Sequence, residues 1–199
     1  NVAVAGSVST YGYFLKDGVE NMLPSFNEHL KILSNSGVDL IILEAMSSQY
    51  DIVETLLKCS KEINIPIWLS ISCVFDRNKE IYLGYDDDVK NDKPQIYENF
   101  KDTLHKIKKI HSGPILVAHS NMSVTEEAIK ILKNNYNNTI GAYPNRGYFE
   151  KPEWKFSDNI QPKDYLNKAK SWKNNGAQII GGCCGIGVEE IKAISILKN

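Results

Sequence analysis

The sequence predicts an α/β fold organised around a parallel sheet, and three features carry that prediction. Short apolar, β-branched runs alternate six times with longer amphipathic stretches. The runs are near-continuous in hydrophobicity, the pattern of strands covered on both faces. Residues that start and stop helices fall at the junctions, and such strand–helix alternation gives a parallel sheet.

The first strand is predicted at residues 2–5, Val2-Ala3-Val4-Ala5, and the first helix at 23–36, stopped by Gly37. The second strand covers 39–44, Asp39-Leu40-Ile41-Ile42-Leu43-Glu44, and leads to a helix at 49–63. The third covers 66–72 and is followed by a helix at 94–111, ended by Gly113. The fourth, 114–119, leads to a helix at 124–135 with Ser123 as its cap and Glu126 in the first turn. The fifth, 139–143, leads to a helix at 162–175 and then Gly176. The sixth, 177–181, runs into Gly182-Cys183-Cys184-Gly185-Ile186-Gly187, and a last helix starts at Val188. Long connections at 8–22, 74–93 and 145–161 all follow strand ends, where active-site loops belong.

Six βα units fit either an open doubly wound sheet or most of an eight-unit barrel. The chain opens inside a strand pattern, at Asn1 rather than Met, and a (β/α)8 barrel takes about 250 residues. The expectation is therefore a fragment of a single barrel domain that lacks two N-terminal units.

Composition narrows the functional classes. The 199 residues suffice for one domain with a real core, and 42% hydrophobic with 24% charged residues is ordinary for a globular protein. A net charge of -1 offers no electrostatic case for nucleic acid or an anionic membrane surface. Trp68, Trp154 and Trp172 lack the interleaved basic residues of a base-stacking surface. No apolar run approaches the length of a membrane span. The four cysteines, two of them adjacent, form no spaced disulfide framework, so a reducing, cytoplasmic setting is expected. Asp86-Asp87-Asp88 reads as a solvated loop, and Cys59, His29, His105 and His111 read as helix positions. Only Arg77 and Arg146 among the 23 basic residues are arginine.

The chemistry gathers at the predicted strand ends: Gly6-Ser7, Glu44, Cys73, His119 to Met122, Tyr143-Pro144-Asn145, and Cys183-Cys184. Adjacent cysteines strain a disulfide, whereas two soft ligands on a glycine-rich turn suit zinc. Read alone, the pair favours a strand cap of two small, buried apolar residues over a metal site. Glu44, a carboxylate closing an apolar strand, needs a partner, and a substrate ammonium would supply one.

Together these pieces resemble the homocysteine S-methyltransferase family. The strongest match runs from Trp172 to Cys184, similar to that family's W-x-x-x-G-A-x-x-I-G-G-C-C ending. Gly6-Ser7-Val8 with Tyr11-Gly12, the Leu43-Glu44-Ala45 step and Tyr143-Pro144-Asn145 match in order. The resemblance covers nearly the whole chain and implies a (β/α)8 TIM-type barrel entered at its third strand, so that this chain carries strands three to eight. It implies a homocysteine-binding domain in which three cysteines hold zinc, two from G-G-C-C and one from an N-C step ending the sixth barrel strand. Zinc would take the homocysteine thiol as thiolate for attack on an electrophilic methyl group, giving methionine. Glu44, at the family's glutamate position, would contribute to holding the amino acid part, with Ser7, Asn121 and Tyr143 as further substrate contacts. Homocysteine and a methyl donor are the implied partners, and Tyr11, Tyr13 and Tyr148 are candidates to face a cationic donor.

The sequence departs from the family pattern at two places. Ser120-Asn121-Met122-Ser123 aligns with the N-C step and puts Met122, a neutral thioether and poor zinc ligand, at the third cysteine. Gly185-Ile186-Gly187 stands where the family has R-T-x-P. His119 or Cys73 could complete the site. Taken alone, His119 reads rather as a hydrogen-bonded core histidine, and Cys73 rather as a small buried residue. Two functions follow: a zinc-dependent methyltransferase, or a metal-free, non-catalytic relative that has lost the third ligand.

Overall fold

The computed structural model of the chain describes residues 2–10, 18–47, 49–85, 95–150, 153–156 and 160–198. In chain order its elements are β1 (Ala5–Ser9), α1 (Gly18–Asn35), β2 (Leu40–Glu44), α2 (Tyr50–Ser60) and β3 (Ile67–Ile71). There follow β4 (Cys73–Phe75), β5 (Ile81–Tyr85), β6 (Gln95–Asn99), α3 (Phe100–Ile107), β7 (Ile115–Ala118) and α4 (Met122–Asn135). The chain continues through β8 (Ile140–Tyr143), β9 (Tyr148–Glu150), β10 (Glu153–Lys155), α5 (Pro162–Asn174), β11 (Ile179–Ile180) and α6 (Val188–Ile194).

Six strands form one parallel sheet in the order β1-β2-β3-β7-β8-β11. The order follows the chain without reversal. A doubly wound sheet reverses at its switch point, so that alternative is excluded for the described residues. The strands wind in one direction, as successive barrel strands do.

Register divides the sheet into two faces, because alternate residues point opposite ways and aligned partners point the same way. The pairs Ser7↔Ile42, Ile42↔Trp68, Ser70↔Leu116, Leu116↔Gly141 and Gly141↔Ile179 trace one face. Glu44 and Tyr143 lie on it, two residues beyond Ile42 and Gly141. The other face carries Val8, Leu43, Leu69, Val117 and Ala142, all buried against the helices. Both faces are apolar, which is why the strands read as continuous runs. Trp172 and Tyr165 of α5, fully buried, meet edge-on at 5.6 Å between ring centres and pin that helix to the sheet.

The predicted helix stops behave as expected at Gly37 and Gly176, whose φ values of 85° and 95° only glycine adopts freely. Four predictions need correction. The first strand runs Ala5–Ser9 rather than 2–5, because β2 begins at Leu40 and pairs from Ala5 onward, leaving Val2 and Val4 exposed. The helix predicted at 94–111 begins at Phe100. Asn99 caps it by accepting from the Lys101 and Asp102 N–H groups, and residues 95–99 are strand. Ser123 is not the cap of α4; Asn121 is, accepting from the Ser123 N–H at 3.0 Å. The connections at 74–93 and 145–161 hold further strands. β4-β5-β6 form an antiparallel sheet, with Asp76 closing the β4–β5 turn through the Asn78 and Glu80 N–H groups, and β9-β10 form a hairpin.

Tyr11, Tyr13 and Asp86 to Asp88 lie outside the described residues. No described helix is long and apolar enough to cross a membrane.

Candidate metal and substrate site

The C-terminal ends of the parallel strands are laced into a continuous rim by backbone groups. Met46 N–H donates to the Ser70 carbonyl at 2.8 Å, Cys73 N–H to Ser120 Oγ at 2.8 Å and Asn145 N–H to the Ser120 carbonyl at 3.1 Å. Gly181 N–H donates to the Ala142 carbonyl, Cys183 N–H to the Pro144 carbonyl and Arg146 N–H to the Cys184 carbonyl, at 2.9, 2.9 and 2.7 Å. Tyr165 OH, from α5, donates to the Gly181 carbonyl. The glycine before the thiols is required by packing: a Cβ at Gly182 would lie 2.2 Å from Ile186 Cγ2. The paired cysteines are thus held on a short loop folded back on Ile186.

His119 follows β7 at φ 43°, a left-handed conformation that costs a non-glycine residue energy and that recurs at functional sites. That turn brings its imidazole to the thiols. Cys183 Sγ lies 3.7 Å from Cys184 Sγ, and Cys184 Sγ lies 4.0 Å from His119 Nδ1. The ligand atoms of all three residues fall within 4.8 Å of one another. Contact with Cys184 and then burial push the Cys183 thiol up from its ordinary range, and His119 opposes the shift. The His119 ring is walled by Tyr85 of β5 at 6.2 Å and Trp154 of β10 at 5.8 Å, and Trp154 Nε1 donates to the Arg146 carbonyl at 2.7 Å.

These donors fit zinc. With Zn–S bonds of 2.3 Å, two sulfurs on a tetrahedral zinc lie about 3.8 Å apart, against 3.7 Å between Cys183 and Cys184. Two cysteines and one histidine are also a set that catalytic zinc uses, leaving a fourth position open.

The other candidates take different places. Cys73, 2% exposed on β4, is not in this cluster, and burial pushes its thiol far up, which disfavours the thiolate a metal needs. Met122 opens α4 and packs half-buried against the core. Asn121 is exposed, its Oδ1 occupied by the Ser123 N–H and hydroxyl. Ser7 is exposed on edge strand β1, on the face that carries Glu44.

Glu44 Oε1 accepts from Tyr143 OH at 2.8 Å and Ser70 Oγ at 3.1 Å. Burial, then the Glu44 charge, push the Tyr143 hydroxyl far up, so it remains a neutral donor. Cys183 also acts electrostatically on Tyr143. After Glu44 the chain again enters the left-handed region, at Ala45 with φ 51°.

Sequence reasoning missed Ser70, Tyr85, Arg146 and Trp154. Ser70 had a signal, since it sits two residues after Trp68 on the same strand face. Tyr85 had only the apolar content of β5 as a signal, and Trp154, between Glu153 and Lys155, only its own ring.

A family model described as homocysteine S-methyltransferase matches residues 1–197. Homocysteine S-methyltransferase 2 of Zea mays is 29% identical over 222 aligned residues, covering 100% of this chain and 59% of the relative. Selenocysteine methyltransferase of Astragalus bisulcatus is 25% identical, covering 97% and 58%. The apo crystal structure of the homocysteine methyltransferase MmuM from Escherichia coli superposes with a TM-score of 0.69 at 20% identity, covering 98% of this chain and 63% of that one. Its metallated form gives 0.68 at 19% identity. The chain thus spans about three fifths of the length of the relatives it matches.

Proposed function

Because the chain belongs to the homocysteine S-methyltransferase family, we propose that it serves methyl transfer to the thiol of homocysteine, yielding methionine, at a zinc site made by His119, Cys183 and Cys184. The observation that carries the reading is the convergence of those three donors on one point of the rim, within 4.8 Å of one another. Zinc there would act as a Lewis acid that keeps a bound thiol ionised at neutral pH.

The chain's own residues supply the rest. Glu44 holds the substrate ammonium, and its carboxylate is aimed by Tyr143 OH and Ser70 Oγ. Tyr143 donates to Glu44 and lies within the electrostatic reach of Cys183, so the amino acid part of the substrate would bind at Glu44 with its thiol toward the cysteines. Trp154 and Tyr85 shield His119 and exclude water from that side. His119 stands in for the cysteine absent at Met122, three residues later. A methyl group on a sulfonium or quaternary nitrogen is electrophilic enough for direct attack by a thiolate, with the neutral thioether or amine leaving.

We also propose that two further βα units complete a (β/α)8 barrel between β1 and β11. The sequential strand order supports this, as does a groove of about 1040 Å³ beside β11, lined by Ile140, Ile179, Ile191 and Ile194. It lies at the strands' starting ends, away from the thiols.

The test is metal content. One zinc per chain, lost in Cys183→Ser and in Cys184→Ser, with methyl transfer from a sulfonium donor to homocysteine lost in parallel, supports the reading. Zinc-free protein that resists loading refutes it and leaves a metal-free relative.

A further inference from the structure

We propose that the half-buried Arg146 and the buried Glu190 paired with it position the zinc-binding loop and the wall behind His119 together; the inference rests on the zinc-site reading above. Arg146 follows Asn145 at the end of β8, and each of its polar parts is tied to the site. Its N–H donates to the Cys184 carbonyl at 2.7 Å. Its carbonyl accepts from Trp154 Nε1 at 2.7 Å, and the Trp154 ring lies against His119. Its guanidinium Nη1 lies 3.8 Å from Glu190 Oε1, with the two side chains only 17% and 10% exposed. Glu190 Oε2 in turn accepts from the Gly187 N–H at 2.9 Å.

The loop from Cys183 to Gly187 needs such support. It carries glycines at 185 and 187, and Gly185 adopts φ 78°. A Cβ at Gly185 would lie 2.7 Å from the Arg146 carbonyl, so the two backbones are pressed together. Cys183 is anchored on Pro144, Cys184 on Arg146 and Gly187 on Glu190, each by one hydrogen bond. Only the last anchor hangs on a charge, and Arg146 is what holds that charge in place. A buried carboxylate without a counter-charge is costly. Arg146, one of two arginines in the chain, therefore acts through the loop rather than by touching metal or substrate. Outer-shell partners of this kind orient ligands and tune affinity.

The test measures zinc affinity of the chain by chelator competition for wild type, Arg146→Gln, Arg146→Lys and Glu190→Gln. Melting of the metal-free forms and the visible spectrum of the cobalt-loaded forms are recorded alongside. Arg146→Gln is expected to weaken zinc about 10–100-fold and to shift the cobalt spectrum. Arg146→Lys, which keeps a charge opposite Glu190, should recover part of both, and Glu190→Gln should follow Arg146→Gln in direction. Unchanged zinc affinity and spectrum in Arg146→Gln, even with a lower metal-free melting temperature, assign the pair a purely structural role and overturn the proposal. A wild type that takes up no zinc is a different result, because it refutes the site itself.

Discussion

Replacing His119 by glycine and by alanine separates its proposed role as ligand from the strain it carries. At φ 43° a residue with a Cβ pays about 1–2 kcal/mol relative to glycine. Alanine keeps that strain and also loses the ring packed against Tyr85 and Trp154, contacts worth about 0.5–1.5 kcal/mol per pair beyond area. Glycine loses the same ring but relieves the strain, against about 0.5–1 kcal/mol of extra chain entropy. The metal-free His119→Gly protein should therefore be more stable than His119→Ala by up to about 1.5 kcal/mol, the strain relief less the entropy cost. For a domain of this size that is up to about 6 °C in melting temperature. Zinc responds differently. Both variants leave two donors, so both should bind zinc more weakly by over about 100-fold, beyond the loss from an outer-shell change. Thermal melts in chelator and competition titrations with zinc read the two effects separately. Wild-type zinc affinity in either variant removes His119 from the site, and an alanine variant that melts above the glycine variant removes the strain argument.

Three further outcomes are expected. Glu44→Gln keeps acceptors for Tyr143 OH and Ser70 Oγ but loses the charge, so KM for homocysteine should rise about 10–100-fold, the worth of a charged hydrogen bond; an unchanged KM, or a fall in zinc affinity, contradicts the assignment. Gly182→Ala meets Ile186 at 2.2 Å and should destabilise by about 1–3 kcal/mol and weaken zinc, whereas Gly181→Ala meets Tyr143 Cβ at 3.4 Å and should be tolerated; equal behaviour in urea unfolding and zinc titration refutes the packing. Burial holds the His111 imidazole below its ordinary 6.5, so the stability it contributes is present above about pH 6.5 and is lost as pH falls through the depressed folded value. His111→Asn should flatten the fall of stability below about pH 6.5 in urea melts, and an unaltered slope would reject it.

The strand–helix alternation was legible because both sheet faces are apolar, and the Trp172 to Cys184 motif was legible because each part has a mechanical reason. Trp172 anchors α5, Gly176 turns the helix end at φ 95° and Gly182 admits Ile186. The short strands after β3 and β8 were not legible as strands. They pair only locally, and Asn99, which caps α3, also ends β6. His119 was named only as one substitute among others for a physical reason. Strand alternation puts Ala118 on the face of Tyr143 and would send the next residue to the helix side. The left-handed turn at His119 reverses that direction, and nothing in the local sequence announces a positive φ at a histidine. Asn121 drew attention as a substrate contact because it borders Met122, yet asparagine before a helix is commonly a cap, and capping is what its Oδ1 does.

On the proposed zinc site, a histidine three residues before Met122 in place of a cysteine at that position would change the charge of the site. Two thiolates and a neutral imidazole around Zn2+ sum to zero, whereas three thiolates sum to one negative charge. A substrate thiol facing a neutral site ionises at lower pH than one facing an anionic site, since like charge opposes its ionisation. Met122→Cys is therefore expected to leave zinc at one per chain, because His119 already completes the set, and to move the acid limb of the methyl-transfer pH profile upward. In the His119→Ala background the same change should recover the zinc that the alanine cost. Zinc content measured across these four proteins decides the matter. If Met122→Cys raises zinc from none to one in an otherwise wild-type chain, His119 is a bystander and the chain is the metal-free relative; one zinc in both, lost with His119 and regained with Cys at 122, makes His119 the third ligand.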